Sequence, residues 1–236
     1  MLSLRMLICV LLLWFSPAAV SAQQPEDKKP AGIILALIGD AQIHNQDSTN
    51  PAITGAQLFA GDSVSTSSDG WMQIAFFDET MVPIPADSQY QIISFSVQPD
   101  NRNFLSQLIK GSLKFISGKY AGSDPDVMRI KFGTVTAAIR GTSGIIRQRP
   151  DGRGSVTILS GIISVLHPDN QPAGRLSRSG WGMDISADGT VSELIKHSND
   201  ALSVLLEDTS APLQPGTTQN SIASNPASSQ GLQQPL

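Results

Sequence analysis

Apolar residues along this chain recur at alternate positions over short runs, and glycines punctuate the runs. Trp71 to Phe77 sets the pattern: Met72, Ile74 and Phe76 share one face, while Trp71, Gln73, Ala75 and Phe77 share the other. A period of two places successive side chains on opposite sides of a strand. The same alternation predicts strands over Ile33–Ile43, with Gly39 marking a bend or bulge, and over Met81–Ile93. In the latter, Val82 and Ile84 are expected inward and Pro83 and Pro85 outward. Two prolines in that register predict an edge or a corner, since neither donates to a ladder. Asp78-Glu79 is expected to close a hairpin, and Pro150-Asp151-Gly152-Arg153-Gly154 is a strong turn signal.

The most informative stretch is Ile130 to Ile146. A β-branched run enters Arg140-Gly141-Thr142 and continues into a second apolar run, so the reading is two strands about a glycine bend. The unit "apolar, x, Gly, x, x, apolar" recurs imperfectly at Leu58–Val64, Ile109–Leu113, Ile139–Ile145 and Leu159–Ile163. No unit is large enough to bury its own apolar face, so stacking is required to close a core. The expected fold class is all-β, a stacked β-helix or β-roll, with a β-sandwich as the alternative because several links resemble hairpins.

The chain divides by composition. Residues 1–22 carry Arg5, an apolar run from Leu7 to Phe15, a break at Ser16-Pro17 and small residues at Val20-Ser21-Ala22, the layout of a cleavable signal peptide. The run is short for a membrane span, which needs about 20 apolar residues. Residues 23–32 are expected to form a flexible leader and 33–190 the β domain. Residues 191–207 change period and predict a short helix, for which Ser198 or Asn199 suits the cap. Residues 208–236, rich in Ser, Thr, Asn, Gln and Pro, are read as disordered. The expected location is the bacterial periplasm or the cell exterior, with no membrane span after cleavage.

Composition narrows the chemistry. The single cysteine, Cys9, lies inside the apolar run, so a chain cleaved after Ala22 has no disulfide and no thiolate metal site. Only 15% of residues are charged and the formal net charge is −4, which argues against nucleic acid and against anionic lipid. His44, His167 and His197 are far apart with no metal-ligand spacing. Acidic residues fall mostly in turns, where Asp bonds its own following backbone. No nucleophile elbow or phosphate loop is present, and the expectation is a protein that is not an enzyme and carries no cofactor or metal. Arg140 is the most conspicuous charged residue, able to offer a guanidinium to a partner carboxylate or to pair internally. Trp71 and Trp181 each follow a glycine and are the candidates for a sugar-stacking platform, against the plainer reading of core or rim packing.

The order of these motifs resembles the FecR domain family of bacterial envelope proteins. The matching residues are Gly61-Asp62-Ser63-Val64, Gly70 followed by Met72, Ile74 and Phe76, and Asp78-Glu79-Thr80-Met81-Val82 with Ile84. Lys110-Gly111-Ser112-Leu113 follows, then Ile139-Arg140-Gly141-Thr142 as the most specific block. Ser160-Gly161-Ile162-Ile163-Ser164-Val165 and Ser179-Gly180-Trp181 fit the downstream part. The chain departs at Glu79, where the family usually has glycine after the aspartate. The resemblance implies an exported domain of that fold and does not bring the sigma-factor relay with it, since no cytoplasmic segment precedes the apolar run. It implies a non-catalytic module that meets an envelope protein partner, with Arg140, Gly141 and Thr142 as partner-binding candidates. The alternative is a glycan-binding module using Trp71 and Trp181.

Overall fold

The computed structural model of the chain describes residues 29–121 and 127–212. The signal-peptide segment 1–22, most of the expected leader and the tail from 213 lie outside the described residues.

The protein is all-β: the described residues form one long sheet and a single short helix. The sheet is creased into two walls. The first wall runs β3 (Thr49–Pro51), β2 (Ala41–His44), β5 (Ser63–Thr66) and β8 (Gln89–Gln98), then the first half of β9 (Asn101–Ile116) and β10 (Met128–Phe132). It ends with the first half of β11 (Val135–Gln148), the second half of β12 (Gly154–Leu166) and β13 (Pro172–Leu176). The second wall runs β4 (Gln57–Leu58), β1 (Gly32–Ile38), β6 (Trp71–Phe76) and β7 (Met81–Ile84). It continues through the other halves of β9, β11 and β12 to β14 (Trp181–Ile185) and β15 (Ile195–Lys196).

Three strands therefore belong to both walls, and each turns at one glycine. Gly111 in β9, Gly141 in β11 and Gly161 in β12 have φ of 89°, 54° and 79°. That left-handed backbone is open to glycine at no steric cost and introduces a bulge without ending the strand. The expectation of separate strands on either side of each glycine is corrected here: β11 is one strand from Val135 to Gln148, and the bend is a crease within it. Gly133 (φ 53°) and Thr134 turn the chain between β10 and β11, so the apolar run that enters the Arg140 block is itself split into two strands.

The walls face each other across an apolar interior. Ile34, Met72, Ile74, Val82, Ile84, Leu113, Phe115 and Ile146 come from the second wall; Tyr90, Ile92, Phe104, Leu108, Ile130, Ile139 and Val165 come from the first. Phe76 of the second wall packs on Phe104 and Phe95 of the first, with ring centroids 4.5 and 5.6 Å away. Packing of this kind, not disulfides, closes the core.

Pro83 does sit on the outer side of β7 by register and Pro85 follows the strand's end, but both are buried. β7 is not an edge strand: it lies between β6 and β9, meeting β9 only at Met81–Ile116, which leaves its proline positions free of a ladder donor. Of the segment 191–207, Ile195-Lys196 pairs with β14 and the helix, α1, spans Asn199–Asp208. Ser198 caps α1, its side chain accepting from the Ala201 N–H at 3.2 Å.

Candidate interaction face

Alternation that buries one side of each strand commits the other side to solvent or to a partner. On the second wall, register places Ile33 beside Ala75, Ala75 beside Met81, Met81 beside Ile116 and Ile116 beside Ser143. All lie on the outer side, because Ile34, Ile74, Val82 and Phe115 point in. Four adjacent strands thus carry an apolar row. Phe77 (54% exposed) extends it past the end of β6, Leu35 (45%) joins it at a bulge in β1, and Ile116 itself is 45% exposed. Exposed Leu35, Phe77 and Ile116 gathered about a half-buried apolar row differ from the scattered single apolar residues common on any surface.

The rim is polar. The β6–β7 hairpin turns at Asp78-Glu79, and Glu79 takes φ 70°, the left-handed conformation that glycine would adopt there. Its carboxylate pairs with Lys119 across an exposed ion pair. Asp78 is buried. Its carboxylate accepts from the Thr80 N–H (3.0 Å) and hydroxyl (2.7 Å), and burial raises its pKa above the ordinary carboxylate value.

The Arg140-Gly141-Thr142 block lies at the end of the same row. The Ser117 N–H, directly after Ile116, donates to the Thr142 carbonyl (2.9 Å), and the Thr142 N–H donates to the Ser117 hydroxyl (2.8 Å). The Gly141 N–H donates to the Ala121 carbonyl (3.1 Å). Gly161 packs so closely that a Cβ on it would stand 2.3 Å from the Gly141 carbonyl oxygen. Gly141 and the buried Thr142 therefore hold the crease, and Arg140 alone of the three extends an exposed side chain.

The two tryptophans are not neighbours. Trp71 starts β6 and Trp181 starts β14, with β7, β9, β11 and β12 between them. At roughly 4.8 Å per strand, five strand spacings part their backbones along the sheet, so the two rings do not form one continuous sugar platform. Trp71 is buried on the outer side of the sheet beneath the end of α1, its Nε1 donating to the Thr209 carbonyl at 3.5 Å. Trp181 is half-buried with the Arg178 guanidinium 5.7 Å from its ring centroid.

Two of the three histidines serve local structure. The His44 ring bonds Thr49 (3.0 Å) and Ser65 (2.8 Å), and the His197 ring bonds Thr157 (3.0 Å). Among the described residues, no three His, Cys, Asp or Glu side chains gather at a point suited to a metal. No helix of the described residues is long and apolar enough to cross a membrane. The apolar row is the feature that reading one strand at a time missed. Its signal was present in Phe77 and Ile116, large apolar residues at positions where alternation calls for polar ones.

No curated protein sequence matches the chain. Two crystal structures of a candidate anti-sigma factor from Parabacteroides distasonis ATCC 8503, at 2.50 and 1.65 Å, are similar at 14% identity with a TM-score of 0.49. The likeness covers 61% of this chain and 63% and 64% of those chains, so this chain spans less than two thirds of their length. The family model described as FecR protein matches residues 62–164, from β5 to near the end of β12. That segment holds the three creased strands, the Asp78-Glu79 hairpin and the Arg140 block, and it is a FecR-family domain.

Proposed function

We propose that this chain is an exported, non-catalytic FecR-domain module of the bacterial cell envelope that docks a protein partner in a sensing, scaffolding or accessory role. The observation that carries the reading is the row Ile33–Ala75–Met81–Ile116 with Phe77 beside it, an apolar strip bordered by the exposed Glu79–Lys119 ion pair. An apolar centre with a charged rim is the usual anatomy of a protein–protein interface, and aromatic residues and arginine dominate binding energy there. Location outside the cytoplasm rests on the 1–22 segment and on a cysteine-free remainder. The glycan-binding reading loses its platform, because Trp71 is buried and remote from Trp181.

The test is capture from an envelope extract by the tagged protein and by its Phe77→Glu/Ile116→Glu variant. Both residues are half-exposed, so the variant is expected to fold. A stoichiometric partner held by the native protein and lost by the variant supports the reading. Equal capture by both sinks it.

A further inference from the structure

The β8–β9 hairpin carries a free strand edge. β8 pairs with β5 only over Gln89–Gln91. Gly61 and Asp62 then take up Ile92: the Ile92 N–H donates to the Asp62 carbonyl (2.9 Å) and the Gly61 N–H to the Ile92 carbonyl (2.7 Å). A bulge follows between Ile92 and Ser94, and the ladder with β9 continues to Gln98, opposite Asn101. Among the described residues, no strand pairs with the other edge of Ser94–Gln98.

The backbone groups on that edge follow from the ladder. The Phe104 N–H donates to the Val127 carbonyl (2.7 Å), away from β8, so Phe95 and Phe104 form a non-hydrogen-bonded pair. The Phe95 N–H and C=O therefore face the free edge, and two residues on so do those of Val97. The side chains divide by period. Phe95 packs inward on Phe76 and Phe104, and Val97, on the same side, is 37% exposed. Ser94 lies on the outer side with Asn103, whose amide donates to its hydroxyl at 2.6 Å, and Ser96 and Gln98 share that side.

An unpaired edge is a template for another strand unless it is blunted by brevity, proline or charge. The strands that end the sheet are blunted. β4 and β15 are two residues long, β3 has three and ends at Pro51, and β13 holds Pro172 and Arg175. Ser94–Gln98 has neither charge nor proline and alternates Ser-Phe-Ser-Val-Gln.

We infer that Ser94–Gln98 pairs antiparallel with the same segment of a second copy of this chain, about a two-fold axis through Ser96. In this register Phe95 of each copy opposes Val97 of the other, and each such pair exchanges both of its N–H···O bonds, so every group facing the edge is used. Each is also an aromatic–β-branched cross-strand pair, which carries the apolar side of the ladder across the junction. On the outer side Ser96 meets Ser96 and Ser94 meets Gln98, with no like charges opposed. A centre at Phe95 would set Val97 against Ile93, which the bulge leaves without a ladder partner. Pro99 has no N–H to extend the pairing, and it stands where Gly61 and Asp62 of the other copy occupy the edge. The contact is isologous, so it closes at two copies. A ladder this short makes a dimer that dissociates on dilution.

The experiment is sedimentation equilibrium of the purified protein over a range of concentrations at low salt. The expected mass rises with concentration from monomer to dimer. Ser96→Lys and Ser96→Glu each put like charges opposite one another at the axis and should weaken the dimer tenfold or more, while an equimolar mixture of the two variants should restore it. Ser96 is half-exposed on the outer side, and thermal melts establish that both variants fold. A native protein that stays monomeric, a dimer indifferent to Ser96→Lys, or folded variants that do not associate on mixing overturns the assignment. Phe77→Glu/Ile116→Glu should dimerise normally and Ser96→Lys should still capture the envelope partner, so this edge and the protein-docking face stand or fall separately.

Discussion

Gly118 lies so close to Asp78 that a Cβ on it would stand 1.9 Å from the Asp78 carbonyl oxygen. The Gly118 N–H donates to the Thr80 hydroxyl (2.9 Å) and the Lys119 N–H to the Asp78 carbonyl (2.9 Å). These bonds fasten the β6–β7 hairpin, which carries Phe77, to the residues that follow Ile116 at the end of β9. Gly118→Ala forces backbone apart and should destabilise the protein by about 3 kcal/mol. A denaturant melt checks this, and an unchanged midpoint would show that the junction yields freely.

The crease glycines need both space and a positive φ, and the two demands can be separated. A Cβ at Gly161 would meet the Gly141 carbonyl oxygen at 2.3 Å and Thr142 Cβ at 2.7 Å, whereas at Gly55 (φ 86°) it would meet nothing within 4 Å. Gly55→Ala should cost only the left-handed backbone penalty, about 1 kcal/mol. Gly161→Ala adds an overpacking cost and should lose about 3 kcal/mol in the same melts. Equal losses would mean that the walls are not tightly joined at this crease.

Much of this arrangement is legible in the sequence. Alternation in Trp71–Phe77 gives the strand and its buried face, and repeated apolar-Gly-apolar units give the stacking. Gly141 and Gly161 looked like ends of strands because a glycine bend and a glycine crease share one local signature. Only pairing, such as Arg140 with Ile162 and Ser143 with Ser160, shows that the strand carries on. The burial of Pro83, Pro85 and Trp71 was hidden because it depends on cover from residues remote in the chain, as Thr209 does for Trp71. The apolar strip was hidden for the same reason: Ile33, Ala75, Met81 and Ile116 become a row only once register is known.

Asp78 gives the stability a defined pH trend. Burial raises its folded pKa, so the folded state holds its proton more tightly than the unfolded chain does. Its contribution is fully present below about pH 4, near the unfolded carboxyl pKa, and is lost as pH rises through the raised value. Asp78→Asn removes that loss. The melting temperature of the variant relative to the native protein should therefore increase from pH 3.5 to pH 7. A constant difference across that range would contradict a raised pKa at this hairpin.

Helix α1 is a light strap. None of its residues is fully buried, Leu202, Leu205 and Leu206 are half-buried, and Asp208 pairs with Arg147 at the surface. Its following residue, Thr209, is buried against the sheet and covers Trp71. Ending the chain after His197 should preserve the β circular dichroism, shift tryptophan emission to longer wavelength and lower stability by about 2 kcal/mol, the value of re-exposing one large aromatic. Loss of the β signal would show that the strap is part of the fold's minimum.

The claim that the outer side of the second wall docks a protein is tested most directly by a photo-crosslinking residue placed at Phe77 in living cells of the native host. Val204, 56% exposed on the outside of α1, is the control position. The account predicts one discrete adduct from position 77 that is absent from position 204 and disappears when Ile116 is replaced by Glu. No adduct at 77, or the same adducts from both positions, would contradict it.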